Sequence, residues 1–134
     1  MIIWLASYPK SGNTWIRFFI NSLLYTEEGK GDLINIANIR AFPKPEQFIN
    51  LVKNVNDIKE VSKNWTMAQR ILNLDKKIKF IKTHNILCRL NGHHFTDLSN
   101  TLGVIYIVRD PRNIVTSIKY HFQLDTLENA KDFI

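Results

Sequence analysis

The segment Tyr8–Trp15, reading YPKSGNTW, brings a lysine, a serine, a glycine and a threonine within a few positions of one another. Set between a strand and a helix, such a group binds oxyanions. The glycine lets the backbone come close, free amides at the helix start point at the anion, and the lysine adds a full charge. It is not a Walker A loop, because Lys10 precedes Gly12 and no Gly-Lys-Ser/Thr triplet follows. Standing alone, the loop would be an ordinary turn with a surface lysine. It does not stand alone: Lys82 with His84, and Arg109 with Arg112, form two further basic groups. Histidine suits general-base work because its ordinary pKa lies near neutrality, and a lysine aimed at a departing oxygen favours a transition state in which charge collects there.

The elements that must position these groups follow from the apolar pattern. Ile2 to Ala6 reads as a buried strand, Ser7 to Asn13 as a loop, and the next stretch as a helix. Ile16, Phe19, Ile20, Leu23 and Leu24 would share its inner face, with Gly29 and Gly31 marking its stop. Between Asp32 and Lys77, Pro43 and Pro45 flank Lys44, and the stretches Gln47 to Lys53 and Thr66 to Leu74 read as weakly amphipathic helices. A second strand is expected at Ile78 to Thr83, a polar loop from Asn91 to Asn100, and a third, β-branched and aromatic strand at Val104 to Val108. Asp110 then caps a helix with Pro111 at its first position and Ile114, Ile118 and Phe122 along its inner stripe.

Strands separated by helical segments imply a parallel sheet, and ligands of such sheets bind beyond the carboxyl ends of the strands. The basic groups follow the ends of the expected strands, so the fold should gather them at one edge. The chain has 134 residues, 45% hydrophobic and 22% charged, the composition of one globular domain. Eighteen Lys and Arg against twelve Asp and Glu give +6, which calls for a polyanionic partner: nucleic acid, an anionic membrane or a phosphorylated small molecule. Cys88 is the only cysteine; it forms no intramolecular disulfide and reads as a small buried hydrophobe. The apolar run Met1 to Ala6 is too short to span a bilayer and lacks a basic start, so a cytoplasmic location is the default expectation. His93 and His94 read as solvated loop residues without a metal, Arg112 as a surface residue, and Trp4 and Trp65 as core or groove residues.

The motifs resemble those of the cytosolic-type sulfotransferases, which use 3′-phosphoadenosine 5′-phosphosulfate (PAPS). YPKSGNTW is similar to that family's 5′-phosphosulfate loop, usually YPKSGTTW, with Asn13 as the departure. KTH, Lys82 to His84, is similar to the catalytic segment, and YIVRDPRNIVTSIKYHF, Tyr106 to Phe122, to the segment in which an arginine and a serine eight positions later hold the 3′-phosphate. The resemblance implies an α/β fold, a parallel sheet flanked by helices in a three-layer, P-loop-NTPase-like arrangement. It implies His84 as base, Lys10 as cation at the leaving group, and Lys82 at the sulfuryl oxygens. Ser11, Gly12, Asn13 and Thr14 would cradle the 5′-phosphate together with Lys10, Trp15 would meet the adenine, and Arg109 and Ser117 the 3′-phosphate. PAPS would be the co-substrate, with no metal.

Asn13 trades a hydroxyl for an amide that can still donate to a phosphate. Asn85, Ile86 and Leu87 follow the histidine where animal members often carry a proline. Family members are about twice this long, so residues 1–134 are expected to form one domain cut short on its C-terminal side, inactive or nearly so by itself. The acceptor, a small molecule or a saccharide, could be an alcohol, phenol, amine or sugar, and the oligomeric state is left open. Neither nucleic acid nor membrane is expected as a partner. A nucleotide or small-molecule kinase would need a Walker A loop and a strand-end Asp for magnesium, and a non-enzymatic nucleic-acid binder would spread its charge in a stripe with exposed aromatics. Should His84 be only a hydrogen-bonding strand-end residue, Glu46 or Asp97 would be the carboxylates to consider as base.

Overall fold

The computed structural model describes residues 1–30 and 34–132. Strand β1, Ile2–Ser7, runs straight into the glycine-bearing loop and helix α1, Asn13–Tyr25. Short 3-10 turns at Ile34–Asn38 and Pro45–Gln47 lead to helices α2, Ile58–Lys63, and α3, Trp65–Leu72. Strand β2, Lys79–Thr83, is followed by the two-residue strands β3, Arg89–Leu90, and β4, His93–His94, then by β5, Thr101–Ile107. Helices α4, Pro111–Phe122, and α5, Leu127–Lys131, complete the described chain.

The main sheet has the order β2-β1-β5 with both pairings parallel, so the strand that carries the first loop lies in the middle. Its residues alternate between two cores. Ile2 and Trp4 pack with Phe42, Phe48, Trp65 and Phe95 on one face, while Leu5 packs with Ile20 and Ile39 on the other. Helices therefore cover both faces of the centre, as expected for an α/β fold with a parallel sheet. The Arg40–Phe42 backbone pairs with Lys82 and covers the outer edge of β2. At α4, the Asp110 side chain accepts from Arg112 N at 2.9 Å, Pro111 opens the helix, and Ile114 and Ile118 are buried against Ala130 of α5.

Several expectations need correction. The inner face of α1 is narrower than its apolar residues suggest: Ile20 is buried and Ile16 packs beside it, but Phe19, Leu23 and Leu24 are exposed. Helix α1 stops at Tyr25, before Gly29, and Gly31 and Asp32 lie outside the described residues. Gln47 to Lys53 is no helix. Pro45 starts a single 3-10 turn, Lys44 N donates to Gln47 Oε1, and burial of Phe48 holds the chain in successive turns. The helix lies further on, where Asp57 caps Ile58–Lys63. The expected loop from Asn91 opens with the turn of the β3–β4 hairpin, made by Asn91 and Gly92, both at positive φ, and carries β4. Phe122 is exposed rather than inside the α4 stripe, and Cys88 is half-buried. Strand β5 begins three residues before Val104, and Ile78 lies just outside β2.

Candidate active site

The loop between β1 and α1 is shaped by two residues at positive φ, Lys10 (66°) and Gly12 (101°). A Cβ at Gly12 would meet no atom within 4 Å, so glycine is required there by backbone conformation and not by space. Left-handed residues in such a turn direct successive amides to one side, a concave arrangement suited to an anion. Gly12 is the N-cap of α1 but offers no side-chain cap, which leaves the first helical N–H groups for a ligand. Ser11 Oγ is buried without a hydrogen-bond partner among the described residues. An unpaired hydroxyl beside uncapped amides fits a phosphate or sulfate group.

Parallel pairing puts the ends of β1, β2 and β5 at one edge, and the predicted residues meet there except Ser11, which is buried within the loop and does not line the cleft. A cleft of about 550 Å³ is lined by Lys10, Gly12, Asn13, Thr14, Trp15, Lys82, His84, Arg109 and Ser117, among others. An adjoining recess of about 430 Å³ shares Lys10, Arg109 and Ser117 and extends along α4 past Asn113 and Tyr120. Arg109 Nη1 donates to the Lys10 carbonyl at 3.0 Å and so ties the third basic group to the first. Trp15 is 78% exposed, an open ring at the cleft rim. Arg112 instead forms an ion pair with Asp110 at 2.6 Å and lines neither space.

Asn13 departs from its expected role. Its side chain is buried and turned inward, with Nδ2 donating to the Leu5 carbonyl at 2.9 Å and to Ser7 Oγ at 3.1 Å. Both amide protons are thus spent within the protein.

His84 stands just past β2. Its Nδ1 lies 2.8 Å from the Ser7 carbonyl and 3.2 Å from Ser7 Oγ. A carbonyl can only accept, so Nδ1 carries the proton and Nε2 keeps a lone pair. Desolvation, and then the charges of Lys82 and Arg17, lower the His84 pKa below 6.5, outweighing the Ser7 carbonyl, which raises it. The ring is therefore neutral at physiological pH and able to accept a proton. The Lys82 pKa is lowered too, first by burial and then by Arg17 and Lys44.

A second space of about 460 Å³ opens on the other side of His84, and its lining is mainly apolar: Trp4, Ile86, Leu87, Phe95, Val104 and Tyr106 surround it with Ser7 and Thr96. Ser7, as the partner of His84, and this apolar wall were not foreseen from the sequence. The only available signal was the apolar pair Ile86–Leu87, which follows the histidine after Asn85. Glu46 and Asp97 line neither space, and Asp97 is occupied in a turn with Ser99 and Asn100. Among the described residues no three His, Cys, Asp or Glu side chains are grouped as for a metal, and no helix is long and apolar enough to cross a membrane.

No curated protein and no solved structure matches the chain. A family model does, the sulfotransferase domain, over residues 2–133, a span that holds the loop, the Lys82–His84 segment and the Arg109–Ser117 segment together. The chain belongs to the sulfotransferase domain family.

Proposed function

We propose that the protein moves a sulfuryl group from PAPS to the hydroxyl, or amine, of an acceptor whose carbon skeleton is apolar. The observation that carries this reading is the position of His84, which lines both the cationic cleft and the apolar space. A base at such a boundary reaches a nucleophile held on one side and a donor held on the other. The 5′-phosphosulfate lies against the loop at Lys10, Ser11, Gly12, Asn13 and Thr14, with Asn13 contributing its backbone N–H. Trp15 stacks on the adenine, and Arg109 and Ser117 hold the 3′-phosphate.

In the transfer, the acceptor oxygen forms its bond to sulfur while the bond from sulfur to the bridging phosphate oxygen breaks. The acceptor proton passes to His84 Nε2, and the electron pair of the broken bond stays on the departing adenosine bisphosphate, where Lys10 stabilises it. Lys82 faces the sulfuryl oxygens. Two lysines and a neutral histidine suffice for these tasks, so no metal enters the scheme. The cytoplasmic setting belongs to this reading.

The test has two arms. A thermal-shift screen compares PAPS, its desulfated product, ATP with magnesium and single-stranded oligonucleotides, and a radiolabelled-donor assay offers a panel of phenols, long-chain alcohols, amines and sugars. Stabilisation by both adenosine bisphosphate ligands is expected, and sulfation of apolar hydroxyl compounds is expected when the domain is assayed within a longer chain. Stabilisation by ATP alone would move the protein to phosphoryl transfer.

A further inference from the structure

The inward turn of Asn13 leaves that residue without the phosphate contact its place in the loop suggests, and its contacts point elsewhere. Its Nδ2 reaches two atoms of β1, the Leu5 carbonyl at 2.9 Å and Ser7 Oγ at 3.1 Å, while its own Oδ1 is buried without a partner. Burying an amide with its oxygen unsatisfied is costly, and a residue that merely filled space would avoid the cost. Ser7 is the sole hydrogen-bond partner of the His84 ring among the described residues, through its carbonyl at 2.8 Å and its hydroxyl at 3.2 Å.

We propose that Asn13 is a positioning residue for His84: it holds the Ser7 hydroxyl so that the imidazole keeps its proton on Nδ1 and its lone pair on Nε2, facing the reacting groups. This rests on the reading of His84 as the base. The two Ser7 atoms compete for opposite forms of the ring. The carbonyl only accepts and therefore selects the Nδ1-protonated tautomer, whereas a hydroxyl can donate to Nδ1 and would select the other. Asn13 donates to Oγ and leaves the hydroxyl its own proton, but it fills one lone pair and fixes the orientation of the group, so that the second lone pair joins the carbonyl in accepting the Nδ1 proton. Released from Asn13, the hydroxyl is free to rotate and donate to Nδ1, which moves the proton to Nε2 and removes the lone pair the reaction needs. Asn13 thereby couples the anion-binding loop to the base: the side chain that closes the loop onto β1 also sets the histidine tautomer. The second family motif is reached from the first through one serine.

The test reads the tautomer directly. The ¹⁵N shifts of the His84 ring, measured at neutral pH in the unmodified chain, should show a protonated Nδ1 and an unprotonated Nε2; the reverse pattern overturns the proposal at once. Asn13→Ala should shift the ring toward the Nε2-protonated form. It should lower kcat with PAPS and the best acceptor of the panel about tenfold to a hundredfold, the scale found when a group that orients a functional side chain is lost, with donor Kd changed less than threefold. Ser7→Ala, which removes the hydroxyl and keeps the carbonyl, should leave the tautomer in place. The double variant Asn13→Ala/Ser7→Ala should recover the parent ring pattern and much of the lost rate, because the competing donor is gone. Asn13 and Ser7 are in contact, so their effects on stability need not add; the return of the parent ring pattern is the readout that a purely structural role of Asn13 would not move. Should Asn13→Ala not fold, Asn13→Ser, whose hydroxyl is too short to replace the amide, takes its place. A parent-like tautomer in the Asn13 variant, or a loss confined to donor affinity, refutes the proposal. Full turnover by His84→Ala would instead refute the base assignment, while the ring shifts still decide the Asn13 relation.

Discussion

Arg109 donates from Nη1 to the carbonyl of Lys10 at 3.0 Å, so the residue that ends the β5 segment holds the backbone of the loop that follows β1. Lys10 sits at a φ of 66°, which non-glycine residues adopt at a cost, and the guanidinium helps keep it there. Arg109 thus has two tasks, one on the loop and one on the nucleotide. Arg109→Ala should weaken adenosine 3′,5′-bisphosphate by about 1.5 to 3 kcal/mol, the worth of a charge-assisted bond. It should weaken the analogue lacking the 3′-phosphate by a smaller amount that reports the loop alone. Calorimetry with both ligands checks this, and equal losses would confine Arg109 to the loop.

His84→Ala should lower turnover about 10²- to 10⁴-fold, the usual contribution of a general base. Donor affinity should hardly change, because the ring hydrogen-bonds to Ser7 and lines the cleft beside the apolar space. Neither Glu46 nor Asp97 reaches this place, so no carboxylate of that pair should substitute. Wild-type turnover in the variant would return the question of the base to residues outside the KTH segment.

What could be read from the sequence divides along physical lines. Buried strands such as Ile2–Ser7 are apolar runs, and the helix start at Asp110–Pro111 carries its cap in the residue types, so the sheet, its parallel sense and the meeting of Lys10, Lys82, His84 and Arg109 could be reasoned out. The misses were decided by tertiary contacts. Nothing in the spacing of Phe19, Leu23 and Leu24 shows that they face outward, since periodicity marks an apolar face without saying what covers it. Gln47 to Lys53 has helical spacing, yet burial of Phe48 and the Gln47 side chain bonded to Lys44 N break it into turns. The Asn91-Gly92 pair and the Asp57 cap were visible signals of a hairpin and a helix that the polar surroundings concealed. The direction of the Asn13 side chain depends on atoms of Leu5 and Ser7, and a motif does not record it.

The pH dependence of the reaction follows from the His84 environment. Its pKa lies below 6.5, first because of desolvation and then because of Lys82 and Arg17, so the neutral ring persists at mildly acidic pH. The acid limb of kcat/KM, which reports the free enzyme, should therefore have its midpoint below 6.5. The limb of kcat should lie at higher pH, since bound phosphates favour the imidazolium. For folding, the unfolded chain binds the proton more readily, so the His84 contribution is complete above 6.5 and is lost as pH falls toward the folded value. A kcat/KM midpoint above 6.5 would show that a nearby negative charge outweighs the desolvation.

Lys82 should show the opposite demands of stability and catalysis in one residue. Its ammonium group is half-buried, and burial first, then Arg17 and Lys44, push its pKa below 10.5. The folded state thus binds this proton less readily than the unfolded chain. Its stabilising contribution rises with pH between the folded pKa and 10.5, and the charged form is a burden throughout the neutral range. Lys82→Met keeps the length of the stem and removes the charge. It should leave β2 intact, because the strand pairing with Leu5 of β1 and the bonds to Arg40 and Phe42 use only the Lys82 backbone. The variant should melt at or above the parent temperature at pH 7, and its advantage should shrink as the pH approaches 10.5. Turnover should move the other way, falling about 10²- to 10³-fold, the scale of losing one charge or donor aimed at a developing negative charge. Calorimetric melts across pH, paired with the sulfation assay, check both halves. A lower melting temperature with unchanged turnover would make Lys82 a structural cation and take it out of the transfer step.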